Sequence, residues 1–250
     1  MRNCFVADLF RVQRKKAYLI CISITFALMI LASILAGTKV LRGDVSENYS
    51  LFVSLAVSFN SLLIGIPVFS AVLSDDFKSR SMQTAIGRGM SRTKLIITRF
   101  LEFILILFEA YVILTIFDFG LGMIFDIDPH DIKVVAFQMW VESAFIICCF
   151  AVAMIFVYLK QTGTVGLVVY ILLACNALEL AFTGLSQIKF FKDHDINLVD
   201  YTIDGMKSSV LDTTNSTSTR VSWALMMLVC FIIIPLILTT RIFKKKELEF

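Results

Sequence analysis

The stretch SDDFKSRSMQTAIGRGMSRTKLIITRF, residues 74–100, is the longest polar interruption in the first half of a very apolar chain. Its six basic residues are Lys78, Arg80, Arg88, Arg92, Lys94 and Arg99. Apolar runs flank it on both sides, each about as long as a helix that crosses a bilayer. The pattern predicts a polar loop between two membrane helices, on the side of the membrane that favours positive charge.

The composition of the whole chain agrees with a membrane location. Its 250 residues are 58% hydrophobic and 17% charged, and the mean hydropathy is +0.84. Soluble domains are about 45–50% apolar and about 25% charged. We therefore expect an all-α integral membrane protein with one transmembrane domain over residues 1–250, in contact with the lipid bilayer. Nucleic acid is not an expected partner, because no basic patch comes with exposed aromatic platforms.

Hydropathy predicts six membrane-spanning helices, since about 20 helical residues cross a hydrocarbon core of ~30 Å. Their predicted ranges are residues 17–36, 51–73, 95–119, 134–159, 164–184 and 221–240. Residues 1–16 predict an amphipathic helix that lies in the membrane interface. Pro67 predicts a kink in the second span. Between the fifth and sixth spans, residues 185–220 form the longest loop, whose first half predicts short external helices on the membrane surface.

The placement of positive charge predicts the orientation. Most of the 23 Lys and Arg residues fall in the N-terminal segment, in residues 74–100 and in the C-terminal tail. Because cytoplasmic loops are enriched in Lys and Arg, both termini are predicted to be cytoplasmic in a multi-pass protein of the plasma membrane. The six cysteines lie in or near the predicted spans, and no CxxC occurs. They predict neither a disulfide framework nor a thiolate metal site.

The chain has no GxxxxGK[ST] sequence, which would form a phosphate-binding loop. No cofactor is therefore expected on this chain, and if ATP drives its activity, another subunit must bind the ATP.

Local patterning predicts structure within residues 74–100. Phe77, Met82 and Ile86 are spaced so that they fall roughly on one side of a helix. Gly89 is then expected to break that helix. Ser91 is a suitable cap for a new helix that begins at the next residue. The pattern predicts a short helix with an apolar side, suited to docking on another protein; its alternative is a plain positively charged loop among lipid headgroups.

These features resemble the loop between the second and third spans of ABC transporter type-2 permeases. In that family an acidic residue leaves the second span, a short amphipathic coupling helix follows, and a Gly-x-Ser-Arg element precedes a basic residue that enters the third span. The matching positions here are Asp75, Asp76, Phe77, Met82, Ile86, Gly89, Ser91, Arg92 and Arg99. The order of the predicted elements also matches the family over nearly the whole chain.

The resemblance implies the membrane subunit of an ATP-driven exporter. The coupling helix would sit in a groove of an ABC ATPase subunit, of which two copies are expected, and ATP and Mg would be bound by that partner. A second permease, either another copy or a related chain, would complete the pathway. The implied cargo is an amphipathic peptide or a hydrophobic small molecule, and the implied role is export or self-immunity.

Five carboxylates lie within the predicted spans, namely Glu102, Glu109, Asp118, Glu142 and Glu179. A charged residue at the membrane centre costs about 2.5–3.5 kcal/mol on insertion scales. We expect Glu102 and Asp118 at the interfaces, and Glu109, Glu142 and Glu179 in the protein interior or along a translocation path.

Two other function classes compete with an exporter. In one, Glu109, Glu142 and Glu179 serve an ion- or proton-coupled secondary transporter or a channel, although the sequence has no internal repeat of the kind that such transporters show. In the other, the chain is an intramembrane enzyme. No HExxH motif occurs, and both histidines fall in predicted external loops, so no catalytic residue is predicted.

Overall fold

The computed structural model describes residues 10–37, 45–78, 81–87, 89–186, 198–212 and 214–245. Over these ranges the chain is helical and contains no β-strand. Five segments are long and apolar enough to cross a membrane: Lys16–Leu35, Leu51–Ser74, Arg92–Ile124, Pro129–Lys160 and Thr217–Lys245. A bent pair, Gly163–Ala174 and Ala177–Ser186, forms a further candidate, with 58° between its two helices. The expected all-helical fold is confirmed over the described residues, which contain five helical segments, or six if the pair counts as one, that are long and apolar enough to cross a membrane.

In chain order, the α-helices with fully described bounds are α1 (Lys16–Gly37), α2 (Val45–Ser58), α3 (Asn60–Leu63), α4 (Gly65–Phe69), α5 (Asp75–Lys78), α6 (Ser81–Gly87), α7 (Arg92–Ile124), α8 (Pro129–Lys160), α9 (Gly163–Ala174), α10 (Ala177–Ser186), α11 (Ile203–Leu211), α12 (Thr217–Leu228) and α13 (Ile234–Lys245). Two π-helical turns, Ser70–Ser74 and Val229–Ile233, and one 3₁₀ turn, Leu198–Tyr201, join some of them.

Side-chain caps explain where several helices begin. Pro129 is the first residue of α8, a position where its missing N–H costs nothing. Just before it, Asp128 accepts a hydrogen bond from the backbone N–H of His130 at 2.8 Å. Thr202 and Ser216 cap α11 and α12 in a similar way, each with a side-chain oxygen that accepts a backbone N–H.

Several helices extend beyond the apolar segments that predicted them. α2 begins at Val45, within what was expected to be a loop up to residue 50. α7 and α8 also run past the predicted ranges 95–119 and 134–159 at both ends. Hydropathy locates only the part of a helix that lies in hydrocarbon, whereas the backbone hydrogen bonds continue into the polar interface.

The second candidate span is irregular. Its helix is interrupted by turns at Phe59 and Ile64, ahead of Pro67, and continues into the π-helical turn Ser70–Ser74. The irregularity that Pro67 predicts is therefore present, but it extends over several residues on both sides of the proline. π-helical turns are rare and occur mostly as single turns inside α-helices.

The predicted fifth span, residues 164–184, is interrupted between α9 and α10. Asn176 has a φ of +55°, in the left-handed region that asparagine adopts more readily than most residues. Its carbonyl then accepts from the N–H of Leu180 at 3.2 Å, which restarts the helix in a new direction. The apolar run is continuous in sequence, so hydropathy does not reveal this bend.

The described parts of two predicted peripheral elements are helical. Residues 10–13 form helix ahead of α1, while residues 1–9 of the predicted N-terminal helix lie outside the described residues. Between α10 and α12, the described residues contain the 3₁₀ turn and α11, of which only the turn lies in the first half of the segment, where short helices were predicted. Residues 187–197, the start of the same segment, and the tail residues 246–250 are also outside the described ranges.

The described chain groups into two compact units. Unit 1 comprises Met1–Val68 and Glu102–Ala144, and unit 2 comprises Phe69–Leu101 and Phe145–Phe250. The unit boundaries fall inside α4, α7 and α8.

In unit 1, α1 packs along α2 and contacts α7 through an edge-to-face pair of Phe26 and Phe117, whose ring centroids are 4.7 Å apart. In unit 2, α9 makes a very close approach to its neighbours. A Cβ atom at Gly163 would lie 2.5 Å from Ser74 Cα, and one at Gly166 would overlap Val157 Cγ2. Glycine is needed at both positions because another helix occupies the space of any side chain.

Candidate functional site

The loop between the second and third candidate spans contains α5 and α6 and ends at the start of α7. α6 ends with two backbone hydrogen bonds, from Gly89 N–H to Ile86 O at 2.9 Å and from Met90 N–H to Ala85 O at 3.1 Å. Gly89 has a φ of +88°. This pair of bonds with a left-handed glycine is a Schellman motif, which stops a helix and turns the chain.

Ser91 begins the next helix. Its Oγ accepts from Lys94 N–H at 3.4 Å, and its carbonyl accepts from Leu95 N–H at 3.1 Å. The expected helix break at Gly89 and the expected cap at Ser91 are both present. The loop therefore consists of two short helices and a defined turn that leads directly into α7.

The expected coupling residues differ in their exposure. Met82 and Arg99 are buried. Asp75, Phe77, Ile86 and Arg92 are half-buried, and Gly89 and Ser91 are exposed. The side chain of Asp76 lies outside the described residues. On α6, Thr84 and Gly87 are exposed, so the outward surface of the loop includes Thr84, Gly87, Gly89 and Ser91.

Arg92 connects the loop to the last helix of the chain. Its Nη1 donates to the backbone carbonyl of Phe243 at 2.8 Å. The guanidinium carbon also lies 5.5 Å from the centroid of the Phe243 ring, within the range of a cation–π interaction. The same side chain thus contacts both the backbone and the ring of one residue in α13.

Aromatic contacts extend from Phe243 back to the loop. The ring of Tyr158, near the end of α8, lies 4.8 Å from that of Phe243. Phe77, in α5, lies 5.8 Å from Tyr158 in an edge-to-face arrangement. We call these four residues, Phe77, Arg92, Tyr158 and Phe243, the Phe243 cluster. Tyr158 and Phe243 were not expected from the sequence, because nothing local to either residue indicates that the ends of α8 and α13 meet at this loop.

Exposed positive charges surround the ends of α8 and α13. The exposed cations there are Lys160, Arg241, Lys244 and Lys245. Cations in the last turn of a helix also interact favourably with the negative end of the helix dipole.

Two of the expected interior carboxylates lie in unit 1 with different partners. Glu109 is exposed, and its Oε2 accepts from Gln13 Nε2 at 2.6 Å. Glu142 is buried, and its charge acts on the buried Tyr111, whose other polar neighbour is Asn60. The side chain of Glu142 is therefore enclosed within unit 1, whereas Glu109 lies beside the N-terminal segment.

Asp118 lies in a buried polar contact that sequence reasoning missed. Asp118 is fully buried, and Tyr49 donates its hydroxyl hydrogen to Asp118 Oδ1 at 2.5 Å. Tyr49 also has Ser33 of α1 as a polar neighbour. The signal in the sequence was Tyr49 itself, which lies next to the second predicted span in a segment predicted to be a loop.

Glu179 belongs to a third group of charged residues, in unit 2. Its carboxyl group lies near Asp204 of α11. Lys207 Nζ lies 2.7 Å from Asp204 and 4.4 Å from the centroid of the Phe145 ring. These contacts hold α11 against α10 and α8. After α11, hydrogen bonds from the backbone and side chain of Thr214 lower the pKa of the exposed Asp212 below its usual value.

The carboxylates form no metal centre in the part of the chain that the structure describes, since no three His, Cys, Asp or Glu residues come close enough to hold an ion. Glu109, Glu142 and Glu179 each have a separate set of neighbours. Comparison with protein-family models found no matching family, and comparison with curated proteins and with solved structures found no match to this chain. Function must therefore be argued from the residues and their geometry.

Proposed function

We propose that the chain is the membrane-spanning subunit of an ATP-driven exporter of the ABC type-2 class, coupled through residues 74–99 to a separate ATPase subunit. The observation that carries this proposal is the Phe243 cluster. Through it, a compact helical loop with an exposed outer surface contacts the ends of two candidate spans and forms the start of a third.

The cluster is suited to transmit a displacement of the loop. Phe77 contacts α8 through Tyr158, and Arg92 contacts α13 through Phe243. Aromatic pairs contribute about 0.5–1.5 kcal/mol each beyond their buried area, and a hydrogen bond to a charged group about 1.5–3 kcal/mol. A push on α6 would therefore move α7, α8 and α13 together rather than only bend the loop.

The end of unit 2 that contains the Phe243 cluster supports the proposed topology of six crossings with both termini cytoplasmic. The end of the second candidate span at Ser74 lies against the start of α9 at Gly163. The start of α7 at Arg92 lies against the end of α13 at Phe243. An alternating path of six spans places these four ends on one side of the membrane, and the exposed lysines and arginines there favour the cytoplasmic side of the plasma membrane.

In this proposal ATP and Mg are bound by the partner, because the chain has no phosphate-binding loop. Two ATPase subunits would dock on the loops of two permeases, and closure of the ATPase pair would drive export of an amphipathic peptide or a hydrophobic small molecule. Buried Glu142, with Tyr111 and Asn60, would satisfy polar groups inside the spans or face the translocation path.

The test uses the outer surface of α6 rather than the Phe243 cluster, since a change in the cluster would also disturb packing. Thr84→Glu places a charge on the exposed side of α6. We expect it to reduce the stimulation of ATP hydrolysis by the copurified ATPase at least about tenfold, equivalent to ~1.4 kcal/mol of docking energy. Ser218→Glu, an equally exposed substitution in α12, is the matched control. The measurement is ATP hydrolysis by the complex reconstituted in vesicles.

If Thr84→Glu hydrolysed ATP and transported cargo as well as the control, the docking role of the loop would be wrong. The alternative of a secondary transporter or channel is separated by purification of the intact protein from its own membranes. An ABC permease should bring down a protein with a phosphate-binding loop, whereas a chain that copurifies with no ATPase and transports under an ion gradient alone would support the alternative.

A further inference from the structure

A groove of about 320 Å³ lies in unit 1 between the segment around Gln13, the first half of α1 and the middle of α7. One end is polar and is formed by Gln13, Tyr18 and Glu109. The remainder is apolar and is lined by Leu19, Ile22, Phe26, Ala110, Ile113 and Leu114. A groove with one polar end and a long apolar wall matches the shape and chemistry of an amphiphile.

The polar end carries a negative charge. Glu109 is exposed, and its carboxylate is bonded to the neutral amide of Gln13. Tyr18 is close enough to feel the charge of Glu109. Among the described lysines and arginines, none forms an ion pair with Glu109. An ammonium group complements this site, because its three N–H donors match the oxygens of a carboxylate, an amide and a phenol.

Part of the apolar wall is exposed on the surface of unit 1. Leu19 and Ile113 are 51% and 46% exposed, and both lie on candidate spans, so in a membrane they meet lipid chains. Arg14 and Lys16 are exposed cations close to Gln13 in the chain. A carboxylate and a hydrocarbon wall thus line one groove, and two exposed cations lie within three residues of its polar end in sequence.

We propose that this groove binds a phospholipid whose headgroup carries a primary ammonium. The ammonium contacts Glu109, the phosphate lies near Arg14 and Lys16, and one acyl chain runs along α1 and α7. A quaternary ammonium headgroup has no N–H donor and cannot make the same hydrogen bonds. The bound lipid would hold the N-terminal segment against α7, and this site does not depend on the proposed export function.

The test reconstitutes the full chain in vesicles of anionic phosphatidylglycerol mixed with either phosphatidylethanolamine or phosphatidylcholine. A trace of the second lipid carries a photoreactive group on its acyl chain, and labelled peptides are mapped by mass spectrometry. We expect phosphatidylethanolamine to label the peptides around Leu19 and Ile113 about fivefold more than phosphatidylcholine, which corresponds to ~1 kcal/mol of preference. Glu109→Gln should reduce this labelling to the phosphatidylcholine level.

Two further variants make the result specific. Asp126→Asn removes an exposed carboxylate at a position of positive φ that asparagine tolerates, and it should leave labelling unchanged. Leu19→Trp narrows the groove without a change in charge and should reduce labelling by both lipids. Equal labelling of the wild-type groove by the two lipids, or full labelling in Glu109→Gln, would overturn the proposal. The comparison of the two lipids on the wild-type chain tests the preference for a primary ammonium headgroup even if a variant fails to fold.

Discussion

The tight contact between α8 and α9 at Gly166 makes the sharpest stability prediction. In Gly166→Ala the new methyl group overlaps Val157 Cγ2 and lies 3.2 Å from Phe69 Cζ and 3.3 Å from Ala153 O. Overpacking of this kind costs about 1–3 kcal/mol, while alanine gains about 1 kcal/mol over glycine in helix propensity. The net effect is a loss of up to about 2 kcal/mol.

A matched substitution separates the cost of overpacking from the gain in helix propensity. Gly120 lies inside α7, and a Cβ atom there meets no heavy atom within 4 Å. Gly120→Ala therefore gains helix propensity without a clash, and the difference between the two variants equals the overpacking cost. At about 2 kcal/mol, and about 2–4 °C per kcal/mol for a chain of this size, Gly166→Ala should unfold about 4–8 °C below Gly120→Ala.

The assay is thermal unfolding of the detergent-purified chain, followed by the loss of monodisperse protein on size-exclusion chromatography. Val157→Ala provides a second check, because it removes the overlapping methyl group. The double variant should be more stable than the sum of the single effects by at least about 1 kcal/mol. Equal midpoints for Gly166→Ala and Gly120→Ala would show that α8 and α9 are not in this close contact.

Two further predictions concern the buried pair in unit 1 and the bent helix pair. Tyr49→Phe removes the hydroxyl that donates to buried Asp118 and should destabilise the chain by about 1–3 kcal/mol. Tyr201→Phe, at an exposed tyrosine, is the control and should have little effect in the same thermal assay. An unchanged unfolding midpoint for Tyr49→Phe would contradict the contact between Tyr49 and Asp118. The second experiment uses a chain whose native cysteines are replaced by serine and a membrane-impermeant maleimide added to intact cells. If α9 and α10 together cross the membrane, the reagent should label Ser186→Cys but not Lys160→Cys. No labelling of either position would indicate a re-entrant pair.

Local features of the site were predictable because they depend on neighbouring residues. The helix break at Gly89 follows from its tolerance of positive φ, and the cap at Ser91 follows from its side-chain oxygen. The coupling surface was less predictable. Phe77, Met82 and Ile86 share a side by spacing, but Met82 is buried and Phe77 contacts Tyr158. Spacing shows which residues share a side of a helix but not whether that side faces a partner or the rest of the chain.

The depth of the carboxylates shows the same limit. Position along an apolar run predicts Glu142 in the protein interior, and its side chain is buried. It does not indicate that Tyr49 bonds Asp118 or that Glu109 bonds Gln13. These contacts join residues far apart in sequence, and each depends on which helices are neighbours.

Local sequence was sufficient to indicate a helical chain with segments apolar enough to cross a membrane, where most of those segments lie, and where the loop of residues 74–100 stops and starts its helices. Hydropathy and backbone hydrogen bonding are local properties, so neighbouring residues suffice for them. The three-dimensional structure was needed to show that Arg92 contacts α13, that Phe77 contacts α8, and that Asn176 bends the predicted fifth span. In a bilayer, lipid chains are as apolar as leucine, so hydrophobicity places a helix in the membrane without selecting its neighbours; close packing and a few polar contacts make that selection.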